Sequence, residues 1–530
     1  MEFEMIAKTF QGLEGVLAQE LTALGANNIE QGRRMVSFTG DKEMLYRANF
    51  SLRTAVRILK PIKHFRAKTA DEVYDAVKQI DWSQYLSVNT TFAVDSVVYS
   101  NEFRHSKFVA YKVKDAIVDQ FREKTGERPN IRITNPDMQL HIHVAEYDCT
   151  LSLDSSGESL HKRGWRQATV EAPINEVLAA GIILQTGWHG ECDLVDPMCG
   201  SGTFLIEAAM IASGIAPGVY SREYAFEKWP DFDKELFDAI YEDDSAERPF
   251  EHHIYGYDIN HKAIAVATEN VRAAGLSKYI TLQQRDIKDF IKPEQKCVMV
   301  TNPPYGERIS APDLLGLYKT LGERLKHQFT DNDAWVLSYR EECFDQIGLK
   351  PSLRTPLYNG SLECELRKYQ IFSGKLNELK ANGGDIKSED ERRLMAQKRR
   401  FKQNRDFRER LEDDPEERMR RPERKPYGRD DRREGGRRFQ ERDDRRAARG
   451  FRRDDSDEGY GHKSRSFNRD DRRPSRGFRP EERGEDRKPR SYGRNEFRKG
   501  GDDRRKSYGR GDGREGRNRN SYKGYSHDED

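Results

Sequence analysis

The residues Asn302-Pro303-Pro304-Tyr305 follow a short apolar run, residues 297–300, that reads as a buried parallel strand. Two prolines directly after a strand stop it and fix the backbone of a rigid loop. An amide side chain, free carbonyls and an aromatic ring are thereby set at the carboxyl end of a strand, where open α/β sheets bind their ligands. The chemistry suited to this set is alkylation of an exocyclic amine on a nucleobase. Such an amine is a poor nucleophile because its lone pair is delocalised into the ring. A site that accepts hydrogen bonds from both of its N–H groups holds the nitrogen partly pyramidal and aims the lone pair at an electrophile. The Asn302 side-chain oxygen and the Pro303 carbonyl are acceptors of the right kind, and Tyr305 can stack on a flat base. Taken alone, the four residues also read as a strand followed by a Pro-rich turn.

A second constellation changes that balance. Residues 191–195 read as a strand, and Asp196-Pro197-Met198-Cys199-Gly200-Ser201-Gly202-Thr203 leads into a helix over 204–212. A strand, a Gly-x-Gly turn and a helix form a nucleotide-type cradle, with backbone close to the ligand and a helix N-terminus behind it. A phosphate-binding P-loop needs Gly-Lys-Ser/Thr at its end, and this loop has no such lysine. A dinucleotide fingerprint needs a third Gly or Ala at position 205, which is Leu205. An S-adenosylmethionine site needs an acid at the end of the next strand for the ribose hydroxyls, and Asp258, closing the strand 254–258, supplies it. Asp286 follows a third strand, 279–282, where a methyltransferase contacts the adenine amine. Asp196 also reads as a helix cap and Asp286 as a turn residue.

These residues must be carried by a folded body, and the composition shows where it lies. The chain has 530 residues, 35% of them charged, with a formal net charge of only +2. The charges are balanced, so bulk charge does not select a partner. Hydrophobic residues make up 35%, and their shortage is confined to the region beyond residue 372. No run reaches the apolar length of a membrane span, and residues 1–10 lack the pattern of a signal peptide. The six cysteines are scattered without a C-x-x-C pair, which fits reduced thiols in a cytoplasm and neither a disulfide framework nor a zinc site.

Residues 1–65 alternate strand and helix patterns in a way that predicts a small ferredoxin-like α+β module. Arg53, Arg57, Lys60, Lys63 and Arg66 cluster near its end, as a solvated face or a phosphate contact. Residues 66–155 predict a second α+β module. It opens with a helix capped by Thr69 and closes with strands over 140–144 and 150–153. His141 and His143 share a strand face there, but with no carboxylate or cysteine partner they point to no metal. Leu160-His161-Lys162-Arg163-Gly164-Trp165-Arg166 comes next. Lys162, Arg163 and Arg166 suit phosphates and Trp165 suits a base; Trp165 equally reads as a linker residue docked on the following domain. Residues 214–250 read as an insertion or extended crossover over the site. A fifth strand over 334–338 and a closing hairpin of 362–366 with 369–372, after a turn at 357–360, complete an alternating α/β layout.

In their order and spacing, the segments 160–166 and 196–203, Asp258, and the segment 302–308 resemble the THUMP-containing guanine-N2 RNA methyltransferases, nearest to the N-terminal half of the bacterial large-subunit enzymes. The resemblance covers residues 1–373. It implies a Rossmann-like S-adenosylmethionine-dependent domain over 156–373, preceded by a ferredoxin-like module over 1–65 and an RNA-binding THUMP domain over 66–155. It also implies S-adenosyl-L-methionine as donor and a guanine N2 amine in 23S rRNA, or in a large-subunit precursor, as acceptor. Asn302, Pro303 and Tyr305 would then be catalytic. Asp196, Gly200, Gly202, Thr203, Asp258 and Asp286 would bind the cofactor, and Lys162, Arg163, Trp165 and Arg166 the RNA. No metal and no membrane are expected. Some relatives carry a second methyltransferase domain; no second glycine cradle follows residue 372, so a single activity is expected. Residues 374–530 instead repeat Asp-Asp-Arg-Arg and Tyr-Gly-Arg among isolated aromatics, a composition unable to bury a core. This tail suits loose RNA contact or plain solubility, and residues 387–411 suit a charged helix. A tRNA guanine-N2 enzyme, a DNA adenine-N6 enzyme and a non-catalytic RNA-binding assembly factor remain as alternatives; the N-terminal modules weigh against the DNA enzyme and the intact cradle against the assembly factor.

Overall fold

The computed structural model describes residues 2–103, 105–170, 172–220, 222–306 and 311–372. The tail, the expected helix over 387–411 and the residues Glu307 and Arg308 lie outside the described residues.

The first module comprises β1 (Phe3–Lys8), α1 (Glu14–Ala23), β2 (Asn27–Gly32), β3 (Met35–Gly40), α2 (Lys42–Ser51) and β4 (Arg57–Arg66). The second comprises α3 (Ala70–Lys78), β5 (Thr91–Tyr99), α4 (Ser106–Thr125), β6 (Asn130–Ile131), β7 (Met138–Ala145) and β8 (Asp148–Asp154). Local chemistry sets several boundaries. The Asp41 carboxylate accepts from the Met44 amide at 3.0 Å to open α2, and the Thr69 hydroxyl accepts from the Glu72 amide at 3.2 Å to open α3. Gly126, with φ of 79°, ends α4 in the left-handed region.

The two modules do not keep separate sheets. Their strands run in one eight-stranded order, β2-β3-β1-β4-β8-β7-β5-β6, because β4 pairs antiparallel with β8 from Leu59–Asp154 to Arg66–Asp148. The basic cluster is largely absorbed by this seam and its surroundings. Arg57 is ion-paired with Asp154, Arg66 with Asp148, Lys63 donates to the Ala76 carbonyl, and Lys60 lies 4.2 Å from the Phe3 ring centre.

The remaining chain forms α5 (Glu176–Thr186), β9 (Asp193–Asp196), α6 (Thr203–Ser213), α7 (Lys234–Tyr241), β10 (Ile254–Asp258), α8 (His261–Ala273), β11 (Ile280–Gln284), β12 (Cys297–Thr301), α9 (Ala311–Gln328), β13 (Asn332–Ser338), α10 (Glu341–Ile347), β14 (Leu353–Asn359) and β15 (Leu362–Ile371). Its seven strands run β11-β10-β9-β12-β13-β15-β14. β9 to β13 are parallel, while β15 is antiparallel to both β13 and β14. The order reverses between β9 and β12, which opens a crevice at their carboxyl ends.

Two expectations need correction. The closing hairpin pairs β14 with one long strand, β15, around Gly360, and does not pair 362–366 with 369–372. Leu353, Thr355 and Leu357 alternate inward, and Pro356 is tolerated because β14 is an edge strand. The segment 214–250 does not close over the site. Tyr224, Phe226, Trp229, Phe237 and Ile240 belong to the core of the first sheet, and Phe226 stacks on Tyr46 of α2 at 4.4 Å. An insert this rich in aromatic rings is held where the largest apolar area is covered.

Candidate active site

The cradle is built at the ends of β9 and β10. Gly200 and Gly202 take left-handed backbone, with φ of 54° and 82°. A Cβ on Gly202 would lie 3.3 Å from Ala267 of α8, so side-chain-free backbone also lets the loop sit against that helix. The loop is stapled to β10: the Cys199 amide donates to the Tyr257 carbonyl at 2.8 Å, and the Gly200 amide to Asp258 Oδ2 at 3.0 Å. The second Asp258 oxygen accepts from the Asn260 amide at 2.8 Å. Asp286 stands at the end of β11, the neighbouring strand, where it caps a short turn by accepting from the Lys288 amide at 3.0 Å and pairs with the Lys288 ammonium at 3.2 Å. These interactions with Lys288, its amide first, hold its carboxyl below the usual range.

Asp196 is sealed from solvent, at 1% exposure. Its Oδ1 accepts from the Met198 amide at 3.1 Å and from the Thr301 hydroxyl at 2.8 Å. Thr301 is the last residue of β12, so this bond ties the cofactor loop to the strand that presents Asn302. Burial, with the charge of Asp258 adding, pushes the Asp196 carboxyl up to about 7. Burial raises Asp258 as well. Among the described residues no cationic side chain pairs with either acid.

Asn302 is half-buried, Pro303 is buried and Pro304 is exposed. The Tyr305 hydroxyl donates to the Asn302 side-chain oxygen and accepts from the Asn359 amide at 3.5 Å. The Tyr305 ring meets the edge of Tyr339 at 5.3 Å, and burial raises its hydroxyl well above the usual phenol range. Asn302 and Tyr305 are therefore one hydrogen-bonded unit. The second lone pair of the Asn302 oxygen is the one left for an incoming amine.

The linker residues divide. Lys162 is exposed and paired with Glu158. Arg163 and Trp165 are 2% and 1% exposed, which corrects their expected contact with RNA: neither can reach a phosphate or a base from inside the core. Arg163 donates to the Leu160 and Arg53 carbonyls at 2.9 and 2.5 Å and pairs with buried Glu207 of α6 at 3.3 Å. Arg53 in turn donates to the Ile215 carbonyl at 2.7 Å, so the first module and the catalytic domain share one buried polar network. Arg166 grips the cofactor loop. Its guanidinium donates to Glu176 at 2.6 Å, Ser201 Oγ at 2.9 Å and Thr203 Oγ1 at 2.7 Å. Asn270, fully buried on α8, accepts from the Gln167 and Ala168 amides at 2.9 and 3.1 Å and donates to the Ser201 carbonyl at 3.1 Å. The reading of the sequence missed Thr301 and Asn270. Thr301 was findable, since it closes the strand directly before Asn302; a polar residue inside one helical pattern gives no such sign.

A parallel sheet of this order, with a glycine cradle at the reversal point and an acid closing the next strand, defines an S-adenosylmethionine-dependent methyltransferase. The donor fits these residues: the molecule is cationic at sulfur and at its amine, and the crevice offers the half-buried, raised carboxyl of Asp258, without a cationic partner among the described residues, beside backbone that a side chain would obstruct. The chain matches the RlmL ferredoxin-like domain over residues 4–59, the THUMP domain over 67–154 and the RMKL-like methyltransferase domain over 163–368. It is 38% identical over 373 residues to slr0064 of Synechocystis sp., named as a candidate RNA methyltransferase, covering 69% of this chain and 96% of that one. It is 40% identical over 375 residues to the ribosomal RNA large subunit methyltransferase K/L of Syntrophotalea carbinolica, covering 68% of this chain and 52% of that protein. The chain thus spans about half the length of the K/L enzymes. The crystal structure of SMU.472, a candidate methyltransferase complexed with SAH, superposes with a TM-score of 0.64 at 31% identity, over 71% of this chain and 99% of that one. The chain belongs to the family of RNA methyltransferases that join ferredoxin-like, THUMP and RMKL-like catalytic domains. Its cofactor is S-adenosyl-L-methionine and its substrate is RNA.

Proposed function

We propose that the acceptor is the exocyclic N2 amine of a guanine in large-subunit (23S) ribosomal RNA, methylated in the cytoplasm. One observation carries the reading: the Thr301–Asp196 hydrogen bond at 2.8 Å joins the cofactor loop to the strand bearing Asn302, so donor and acceptor positions are held by one buried contact. The names of the K/L relatives support the choice of RNA, and the match to an RlmL-type first module supports it further. In this reading the chain divides at about residues 65, 155 and 373, and the tail after 373 adds loose RNA contact or solubility.

When bound, S-adenosylmethionine supplies a methyl group activated by its sulfonium. The protein's part is to hold and orient. Asp258 receives ribose hydroxyls, Asp196 acts on the cationic donor through its charge from behind the loop, and Gly200 and Gly202 admit the methionine part. Asp286 stands by the adenine, and Thr203 keeps the loop tied to Arg166. Asn302 and the Pro303 carbonyl accept from the guanine amine and keep its lone pair directed; Tyr305 fixes Asn302 through its hydroxyl and offers ring surface to the base. The N-methylated amine is acidic and gives up its extra proton to solvent, so no strong base is needed. Rate enhancement comes from positioning and exclusion of water.

Nucleoside mass spectrometry on ribosomal and transfer RNA, from cells with and without the gene, tests the acceptor. Loss of N2-methylguanosine from the large subunit is expected; loss from tRNA alone refutes the choice of RNA. In the purified protein, Asn302→Ala is expected to lower kcat by at least about 100-fold, the size of a lost transition-state hydrogen bond, while adenosylmethionine affinity stays within a few-fold. Unchanged turnover would refute the orienting role.

A further inference from the structure

A cavity of about 1560 Å³ lies beside the cofactor loop, between the second module, the linker and the insert. It exceeds the roughly 300–1,000 Å³ of small-molecule pockets and has room for part of a macromolecule. Besides Arg163, which is turned into the core, seven lysine and arginine side chains line it against four acids. Among the described residues Lys107 has no hydrogen-bond or ion-pair partner, Lys114 pairs with Asp115 and lies 5.7 Å from the Tyr111 ring centre, and Lys228 donates to Asn135 and the Pro136 carbonyl. The wall also carries Tyr111 at 57% exposure, Ile131 at 42% and Ile133 at 86%, three of the eight exposed large apolar side chains among the described residues. One edge of the sheet faces the same space. β6 covers β5 only at Thr91 and Phe92, and from Val94 onward no described strand pairs with that edge. The far wall is Arg166, the residue that holds Ser201 and Thr203 of the cofactor loop.

Positive charge, free strand edge and exposed flat or apolar side chains in one groove match a single polyanionic chain with unstacked bases. A duplex keeps its bases stacked and away from Tyr111. We propose that this cleft holds an unpaired RNA stretch flanking the target guanine, with Tyr111 and Ile133 packing on bases and Lys107, Lys114 and Lys228 meeting phosphates. The proposal rests on RNA as substrate and adds where it is gripped and in which form. The insert thereby gains a task, because Lys228 reaches the cleft from it. A guanine amine must leave its base pair to be methylated, and a cleft selective for unpaired flanks favours that state.

The test uses the full chain, a labelled single-stranded RNA of about 12 nucleotides and the same RNA annealed to its complement, at fixed salt, because phosphate contacts are salt-dependent. Fluorescence anisotropy is expected to show tighter binding of the single strand. Tyr111→Ala should weaken it about tenfold, the size of one lost base stack. Lys107→Glu and Lys228→Glu should weaken it similarly, and Lys319→Glu on α9 should leave it unchanged, with adenosylmethionine binding intact in all four. Photo-crosslinking of a 4-thiouridine RNA should map to residues 107–133. Equal affinity for duplex, insensitivity to Tyr111→Ala, crosslinks confined beyond residue 373, or equal displacement by polyglutamate would each overturn the cleft assignment. Because binding is read without methyl transfer, methylation of the wrong RNA would refute the proposed acceptor and leave this assignment standing.

Discussion

Replacing Arg166 separates two functions that the same three hydrogen bonds perform. Its guanidinium is one-fifth exposed, and its partner Glu176 is 6% exposed. Arg166→Ala leaves that carboxylate buried without a counter-charge, which costs about 3–5 kcal/mol for a fully buried pair. The partial exposure of Arg166 places the loss near the lower end, about 3 kcal/mol. Across a folded body of roughly 370 residues, with an unfolding entropy of about 2 cal/mol/K per residue, that lowers the melting temperature by about 4 °C. The second effect falls on the cofactor. Ser201 and Thr203 lose the donors that fix them, and adenosylmethionine binding by calorimetry is expected to weaken about tenfold, or about 1.4 kcal/mol. Arg166→Lys restores the charge beside Glu176 but cannot span Ser201 and Thr203 at once. It should regain most of the melting temperature and little of the affinity. Wild-type affinity in Arg166→Lys would refute the loop-holding role, and an unchanged melting temperature in Arg166→Ala would refute the burial argument.

Asp196 predicts a pH dependence. Its folded value of about 7 lies above the ordinary value of 3.8, so its contribution to stability is fully present below the ordinary value, declines between the two with a slope approaching about 1.4 kcal/mol per pH unit, and is gone once pH has passed about 7. Thermal melts from about pH 4.5 to 8.5 should show this decline and its levelling off above about 7. Asp196→Asn should flatten it, since an amide oxygen can still accept from Met198 and Thr301. Over the same range wild-type affinity for the cationic cofactor should rise and that of Asp196→Asn should not; parallel curves would refute the assignment. Deleting residues after about 375 is expected to leave the thermal transition in place and to weaken RNA affinity by at most a few-fold. Collapse of the transition on truncation would show that the tail is structural.

The parallel sheet and its crevice were legible because their signals are local: the glycines at 200 and 202, the acid at 258 and the prolines at 303 and 304 each fix the backbone beside them. The β4–β8 seam was not, since two strands some 90 residues apart pair through backbone and leave no mark on side-chain type. The linker misled for a related reason. Arginine and tryptophan are the residues expected at an RNA contact, and Arg163 and Trp165 are of those types. Only the presence of Glu207 and the Arg53 carbonyl opposite, and of the apolar core around the indole, shows that they face inward. The ten-residue strand β15 reads as two short ones because Arg367 and Lys368 interrupt its apolar pattern between Leu366 and Tyr369.

That seam has a mechanical consequence. A sheet continuous from β2 to β6 has no hinge between its modules, and the Arg53–Arg163–Glu207 network fastens it to the catalytic domain. The described residues resemble a calliper with a locked jaw: the distance between the proposed RNA cleft and the proposed reaction site is set when the chain folds. Such an instrument selects by length as well as by pattern. On the proposed assignments of cleft and site, the RNA has to supply the bending, and the nucleotide modified is the one that arrives at Asn302 when its neighbours are seated.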